Sequence, residues 1–146
     1  MRRFDCEKRL EKARIPIIEV ELPERIDGIA CQLPRGGSGV LLRPGLGHAA
    51  RRCVITHEYY HLALFPEHVF GFHDVYASRM RESTIEHRVR TATADHLVSR
   101  HALERALRRG EPLGDVADDL GLTLDVLDDA IALFARRGDR FFQKYA

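Results

Sequence analysis

The sequence predicts an α+β domain, with a small antiparallel sheet in the N-terminal third followed by helices. Segments rich in β-branched residues and bounded by turn residues are confined to the first 43 positions. From residue 49 onward, apolar residues recur at the three- and four-residue spacing of helices. At 146 residues the chain suits one domain and is too short for two ordinary ones, so we expect a single domain over 1–146.

The N-terminal third is predicted to contain one helix and three strands. Residues 5–13 are charged, with Leu10 and Ala13 at helical spacing, and Pro16 ends that helix. Segments of strand-forming residues follow at 17–22 (IIEVEL), 28–33 (GIACQL) and 39–43 (GVLLR). The sequence PRGGSG between the last two is a strong turn signal, so these strands are expected to form an antiparallel hairpin.

Five helical segments are predicted over the rest of the chain, around an aromatic and irregular stretch at 65–76. The first begins at Ala49 and ends before Pro66. The others cover 79–98, 102–107, 113–120 and 123–134. The last two have the outline of a helix–turn–helix around Gly121, within a C-terminal helical subregion over about 100–146.

Composition and charge exclude several classes of protein. The chain has 23 Lys and Arg against 22 Asp and Glu, and this net charge of +1 gives no general attraction to nucleic acid or to an acidic membrane. No apolar run approaches the ~18 residues of a membrane span, and the basic N-terminus lacks the apolar core of a secretory signal. Cys6, Cys31 and Cys53 are odd in number and widely spaced, so we expect no disulfide scaffold and a cytoplasmic location.

The helix–turn–helix-like pair is not expected to bind DNA. Residues 111–135 contain seven acidic residues and no Lys or Arg. Because affinity for DNA comes mostly from neutralising phosphates with Lys and Arg, this charge opposes binding. Packing within the domain or docking to a protein partner is the favoured interpretation of this segment.

The segment His57-Glu58-Tyr59-Tyr60-His61 forms an HExxH motif within the first long helix. Residues four apart lie on one face of a helix, so His57 and His61 can bind one Zn²⁺. Glu58 then lies beside the metal, where it can accept a proton from water as the catalytic base. Apolar turns on both sides of the motif favour a buried metal site over a chance coincidence.

A catalytic zinc needs a third protein ligand and an open position. Glu82 and Glu86 lie four residues apart on the next long helix, and Glu86 flanks its apolar stripe. Glu86 is therefore the favoured third ligand and Glu82 the alternative. The competing interpretation of Glu86 is an ordinary surface pair with Arg90 at the i+4 position.

Other side chains could complete or assist such a site. A structural zinc with Cys53 or His96 as fourth ligand is possible, although Glu58 would then have no role. Peptide hydrolysis needs a second donor for the oxyanion, and His73, Tyr76 and Tyr60 are the candidates. An extended substrate is expected to add as a strand along a sheet edge formed by 39–43.

Three segments resemble the ImmA/IrrE family of small metallopeptidase-like proteins. They are Ile26-Asp27-Gly28, the HExxH segment RRCVITHEYYH at 51–61, and EHRVRTATADHLV at 86–98. Together these place the resemblance over roughly 16–134. It implies a zincin-like fold and an intracellular protein substrate, because members of the family are associated with cleavage of helix-turn-helix repressors.

The sequence therefore predicts a zinc-dependent endopeptidase. Its metal ligands are expected to be His57, His61 and Glu86, with Glu58 as base. The alternative is a non-catalytic regulatory or protein-interaction module that keeps the metallopeptidase fold.

Overall fold

The computed structural model describes residues 3–71 and 83–145, which form an α+β fold with the strands in the N-terminal part. In chain order the elements are helix α1 (Cys6–Lys12), strands β1 (Ile17–Glu19), β2 (Gly28–Gln32) and β3 (Ser38–Leu42), helix α2 (His48–Leu64), a 3₁₀ turn (Pro66–His68), strand β4 (Phe70–Gly71), and helices α3 (Ser83–Leu97), α4 (Arg100–Arg108), α5 (Leu113–Leu120), α6 (Leu124–Arg136) and α7 (Arg140–Gln143). The predicted class is confirmed, and the predicted helices begin and end within a few residues of the observed ones.

The sheet is mixed, with the strand order β1-β3-β2-β4. The predicted hairpin is confirmed, because β2 and β3 pair antiparallel with Ala30 opposite Val40. The prediction of a wholly antiparallel sheet is wrong, since β1 runs parallel to β3 and β4 runs parallel to β2. Strand periodicity marks which residues are extended, but it does not say which strands pair.

Two further expectations about the sheet are corrected. Strand β4 pairs Phe70 and Gly71 with β2, within the stretch that was expected to be irregular. Strand β3 lies between β1 and β2, so it offers no edge to which a substrate strand could add. On its other side β2 pairs with β4, and among the described residues this pairing joins Cys31 to Phe70 and Gln32 to Gly71.

Helix α2 packs against the sheet through a small apolar core. The buried members of this core are Cys6, Leu10, Val40, Leu42 and Ile55. Gly28 shows how closely β2 approaches the helix, because a Cβ atom at that position would overlap Cγ1 of Val54. Close packing of this kind holds the first turns of α2 in a fixed position relative to β2.

A second apolar core joins α3 to the C-terminal helices. Its fully buried members include Leu103, Val116, Leu127 and Phe142, each 0% exposed. Helix α2 is tied to this core by Arg52, which donates a hydrogen bond of 2.8 Å to the carbonyl of Gly121. Gly121 ends α5 with φ of 67°, a conformation that glycine adopts without strain. Within the described ranges no helix has both the length and the apolar character needed to cross a membrane.

Candidate metal centre

Helix α2 presents the HExxH motif as one uninterrupted helical segment. The His57 and His61 rings lie on successive turns, with their centroids 5.0 Å apart. Helix α3 packs beside α2 and carries Glu86 in its first turn. Two helices from different parts of the chain therefore bring two imidazoles and one carboxylate together.

The distances between these groups are short. Nε2 of His61 lies 2.8 Å from Oε1 of Glu86, and Nε2 of His57 lies 3.2 Å from Oε2 of the same carboxylate. One ligand atom from each of the three residues lies within 4.8 Å of the others, so the group could hold a metal ion. The competing interpretation of Glu86, a surface pair with Arg90, is not what Arg90 forms, because Arg90 binds Asp129 of α6.

The geometry at His61 fits a metal ligand. Its Nε2 atom is buried and makes no hydrogen bond, although Oε1 of Glu86 is only 2.8 Å away. The two atoms are thus close without being aligned as donor and acceptor, which is expected where both face a common third partner. Two imidazole nitrogens and one carboxylate form the donor set of a three-ligand site with an open position.

The charge state of Glu86 suits the same role. Burial on its own raises the pKa of this carboxyl group, but the imidazoles of His57 and His61 beside it more than offset the burial. The net effect holds the pKa of Glu86 well below its usual range. Glu86 is therefore ionised at neutral pH, as a carboxylate ligand must be.

Glu58 lies between α2 and β2. Its side chain is 1% exposed, and Oε1 accepts a hydrogen bond of 3.2 Å from the backbone N–H of Ala30. Burial, together with the nearby charge of Glu58, raises the pKa of the Cys31 thiol. This contact holds one oxygen of the buried Glu58 carboxylate against β2.

His57, His61 and Glu86 form the candidate metal group, and a cavity of about 630 Å³ is lined by His57 and Glu86 of this group. Its walls come from β2 and the turn before it, from α2, from α3 and from the start of α6. Among the lining residues are His57, Glu58, Glu86, Arg90 and Asp129. A second cavity of about 620 Å³ lies beside α1, and none of the three candidate ligands lines it. His57, Glu58 and Glu86 therefore line the first of these cavities, whereas His61 lines neither.

Tyr60 uses its hydroxyl in a different contact. The Nε2–H of His96 donates to the carbonyl of Phe4 at 2.8 Å, which leaves Nδ1 to accept a hydrogen bond of 2.7 Å from the Tyr60 hydroxyl. Burial raises the pKa of Tyr60 to about 12, so the hydroxyl keeps its proton. Tyr60 is not among the residues that line the cavity, and both nitrogens of His96 are engaged, so His96 is not placed as a ligand.

The remaining candidates are placed as follows. His73 and Tyr76, the other two oxyanion candidates, lie outside the described residues, as does Glu82. Cys53 is buried and lines the cavity, but its sulfur is not within the group of His57, His61 and Glu86. Among the residues that the structure describes, this group is the one that could hold a metal ion.

Two features of the site were missed by sequence reasoning. The backbone contact of Glu58 with Ala30 joins residues 28 positions apart, and no local pattern marks it. The second is the partner of Arg90, for which the sequence offered only Glu86, one turn earlier, as the alternative to a metal-binding Glu86. Asp129 lies 39 positions further on, in a helix whose packing on α3 cannot be read from periodicity.

Comparisons with protein-family models, with curated proteins and with solved structures find no match to this chain. The structure provides an α+β fold and a group of two histidines and one glutamate that could hold a metal ion. Function therefore has to be inferred from the side chains around the cavity.

Proposed function

We propose that this protein is a zinc-dependent endopeptidase that cleaves an intracellular protein, with a helix-turn-helix repressor as the substrate class. The observation that carries the proposal is the grouping of His57, His61 and Glu86 within reach of one metal ion, beside a cavity that His57 and Glu86 line together with the buried carboxylate of Glu58. The resemblance of residues 51–61 and 86–98 to the ImmA/IrrE family supplies the substrate class.

Each residue then has a distinct task. His57, His61 and Glu86 hold the zinc ion, which supplies Lewis acidity that lowers the pKa of water and polarises a peptide carbonyl. Glu58 accepts a proton from the attacking water and passes it to the leaving amine as the C–N bond breaks. The N–H of Ala30 keeps the Glu58 carboxylate oriented during both transfers.

The position of β2 supports an extended substrate. Gly28 and Ile29 border the cavity, and Ala30 in the same strand holds Glu58. A peptide segment that pairs with this part of β2 would lie next to the proposed base. Only segments that can become extended would bind in this way, which favours flexible loops and linkers of the substrate over its folded parts.

One observation favours a second candidate function. Because Oε1 of Glu58 accepts a hydrogen bond from the Ala30 backbone, part of the carboxylate is committed to holding α2 against β2. A regulatory or protein-interaction module that keeps the fold and the metal would use Glu58 in this structural way alone. The two candidates differ in whether the metal-loaded protein cleaves peptides.

Replacing Glu58 by Gln tests the proposal. The amide can still accept the Ala30 hydrogen bond but cannot act as a base, so we expect unchanged zinc content and no cleavage. Zinc-loaded wild type and variant would each digest a proteome-derived peptide library, with new amino termini counted by mass spectrometry. Glu67→Gln is the matched control, because the Glu67 side chain is 66% exposed beyond the end of α2.

The results separate the two functions. Cleavage by wild type and Glu67→Gln but not by Glu58→Gln supports the peptidase. Full cleavage by Glu58→Gln shows that Glu58 is not the base. If wild type binds zinc and cleaves nothing in the library or in a co-expressed helix-turn-helix repressor, the non-catalytic module is the better account.

A further inference from the structure

Arg90 occupies the wall of the cavity one helical turn after Glu86. Glu86 and Arg90 line the same cavity, and residues four apart lie on one face of a helix, so Arg90 is a neighbour of Glu86. Asp129 of α6 binds the guanidinium at two points, with Oδ2 3.0 Å from Nε and Oδ1 2.6 Å from a terminal nitrogen. A bidentate contact of this kind fixes the plane of the guanidinium as well as its position.

The fixed guanidinium keeps donors available to the cavity. A guanidinium carries five N–H groups, and the contact with Asp129 uses two of them. The other three make no hydrogen bond to a residue that the structure describes, and the side chain is 54% exposed. Arg90 therefore presents a rigid positive charge and unused donors beside the metal group.

Neighbouring carboxylates favour the positively charged form of Arg90. The hydrogen bond that Arg90 donates to Asp129 raises the pKa of Arg90, and the charges of Asp125 and Glu86 add to that effect. Arg25 also lines the cavity and is exposed, but in the described part of the chain no carboxylate holds it in place. Arg90 is thus the better prepared of the two to bind an anion, because less side-chain entropy is lost when a held guanidinium binds.

We propose that Arg90, held by Asp129, binds a carboxylate of the peptide substrate next to the metal site. This inference rests on the proposed peptidase function and adds a substrate preference to it. The carboxylate can belong to an Asp or Glu side chain or to the C-terminus of the peptide, since the guanidinium fork fits either one. The competing role of Arg90 is structural, as a link between α3 and α6, and that role carries no preference for carboxylates.

Four hydroxamate compounds test the preference without requiring cleavage. Each carries a hydroxamate, a zinc-binding group, at the amino end of a dipeptide. One pair ends in either a carboxylate or a carboxamide. The other pair ends in a carboxamide and carries either Glu or Gln. Dissociation constants for zinc-loaded full-length protein, measured by calorimetry, then show whether a side-chain or a terminal carboxylate is preferred.

We expect at least one carboxylate compound to bind wild type about 10-fold more tightly than its amide partner, as a charge-assisted hydrogen bond provides. Arg90→Gln should remove this preference while the amide compounds bind as before, which also shows that the variant is folded. Arg90→Lys should keep part of the preference, because it retains the charge and loses the fork. Arg100→Gln is the control, since Arg100 forms a similar surface pair with Asp139 away from the cavity lining.

Three results would overturn the inference. Equal binding of acid and amide compounds by wild type would show that Arg90 contributes no specificity. It would not contradict the proposed metal site. If the Arg90→Gln variant still prefers the carboxylate compounds, a group other than Arg90 binds the carboxylate. If zinc-loaded wild type binds none of the four compounds, the cavity does not accept peptides at the metal, and the proposed function fails together with the inference.

Discussion

The two imidazoles of the metal group have different surroundings. The His61 side chain is 4% exposed, whereas those of His57 and Glu86 are 26% and 29% exposed. His61 is therefore the most buried of the three residues, and the more exposed side of the group is the side of His57 and Glu86. The same side carries Arg90, which is why we expect the substrate to approach there.

Residue spacing could predict most of this site, but not all of it. His57, Glu58 and His61 follow from one motif on one helix, because local geometry fixes how residues one and four positions apart are arranged. For the third ligand the sequence offered Glu86 and Glu82, one turn apart on a distant helix. The structure confirms that Glu86 lies with His57 and His61. The pairing of Arg90 could not be predicted, since it depends on how α6 packs on α3.

The third ligand gives a direct prediction at the residue scale. Glu86→Gln removes a carboxylate that lies 2.8 Å from Nε2 of His61, so zinc affinity should fall by at least about 10–100-fold. Glu82→Gln should leave the affinity near that of wild type. Competition with a chromogenic chelator measures the zinc affinity of both variants. Release of zinc by the Glu82 variant alone would show that the third ligand is Glu82, one helical turn before Glu86.

At the scale of the elements, helices were easier to predict than strand pairing. Helix α6 was expected over 123–134 and is observed over Leu124–Arg136, because the apolar period is a local property of the sequence. Strand β1 was expected over 17–22 and pairs only at Ile17–Glu19. Its partner β3 lies more than 20 positions away, and no periodicity specifies that contact or its parallel direction.

The junction of α2, α3 and the N-terminal segment depends on a neutral His96. Burial lowers the pKa of His96 below its ordinary value of 6.5, and the charges of Arg3, Arg9 and Arg52 add to the effect. The carbonyl of Phe4, which accepts from the ring, opposes it. In the folded state His96 thus gains a proton at a lower pH than in the unfolded chain.

Protonation of His96 makes the stability of the fold depend on pH. Above about pH 6.5 His96 is mostly neutral in both states, but on acidification the unfolded chain takes up a proton first. The free energy of unfolding should therefore fall below about pH 6.5, and more steeply in wild type than in His96→Gln. Urea unfolding between about pH 7 and 5 measures this, with substitution of the exposed His101 of α4 by Gln as control. Identical slopes in wild type and His96→Gln would contradict the role of His96.

At the scale of the whole molecule, the charges are balanced in number but not in position. Seven acidic residues and no Lys or Arg lie between residues 111 and 135, which cover α5 and most of α6. Asp129 is paired with Arg90, whereas Asp118 and Asp119 are exposed on α5. The helix–turn–helix outline is present around Gly121, but the surface it presents repels phosphate.

We therefore expect no binding of this protein to duplex DNA at physiological salt. The measurement is a gel shift with increasing protein, in which a basic helix-turn-helix repressor serves as the positive control. If the repressor is the substrate, active protein should abolish the repressor's own shift, whereas Glu58→Gln should not. A salt-sensitive shift by this protein alone would contradict the charge argument and favour a regulator that acts on DNA.

His57, His61 and Glu86 are proposed to hold one zinc ion. The most direct test is elemental analysis of untagged protein purified without added metal, alongside its thermal unfolding with and without a chelator. We predict about one zinc per chain in wild type, loss of that zinc in His61→Ala, and a lower unfolding temperature once the chelator has removed the metal, because metal binding is linked to folding. Wild-type protein that carries no transition metal, takes up none when zinc is added, and unfolds at the same temperature with or without the chelator would contradict the claim.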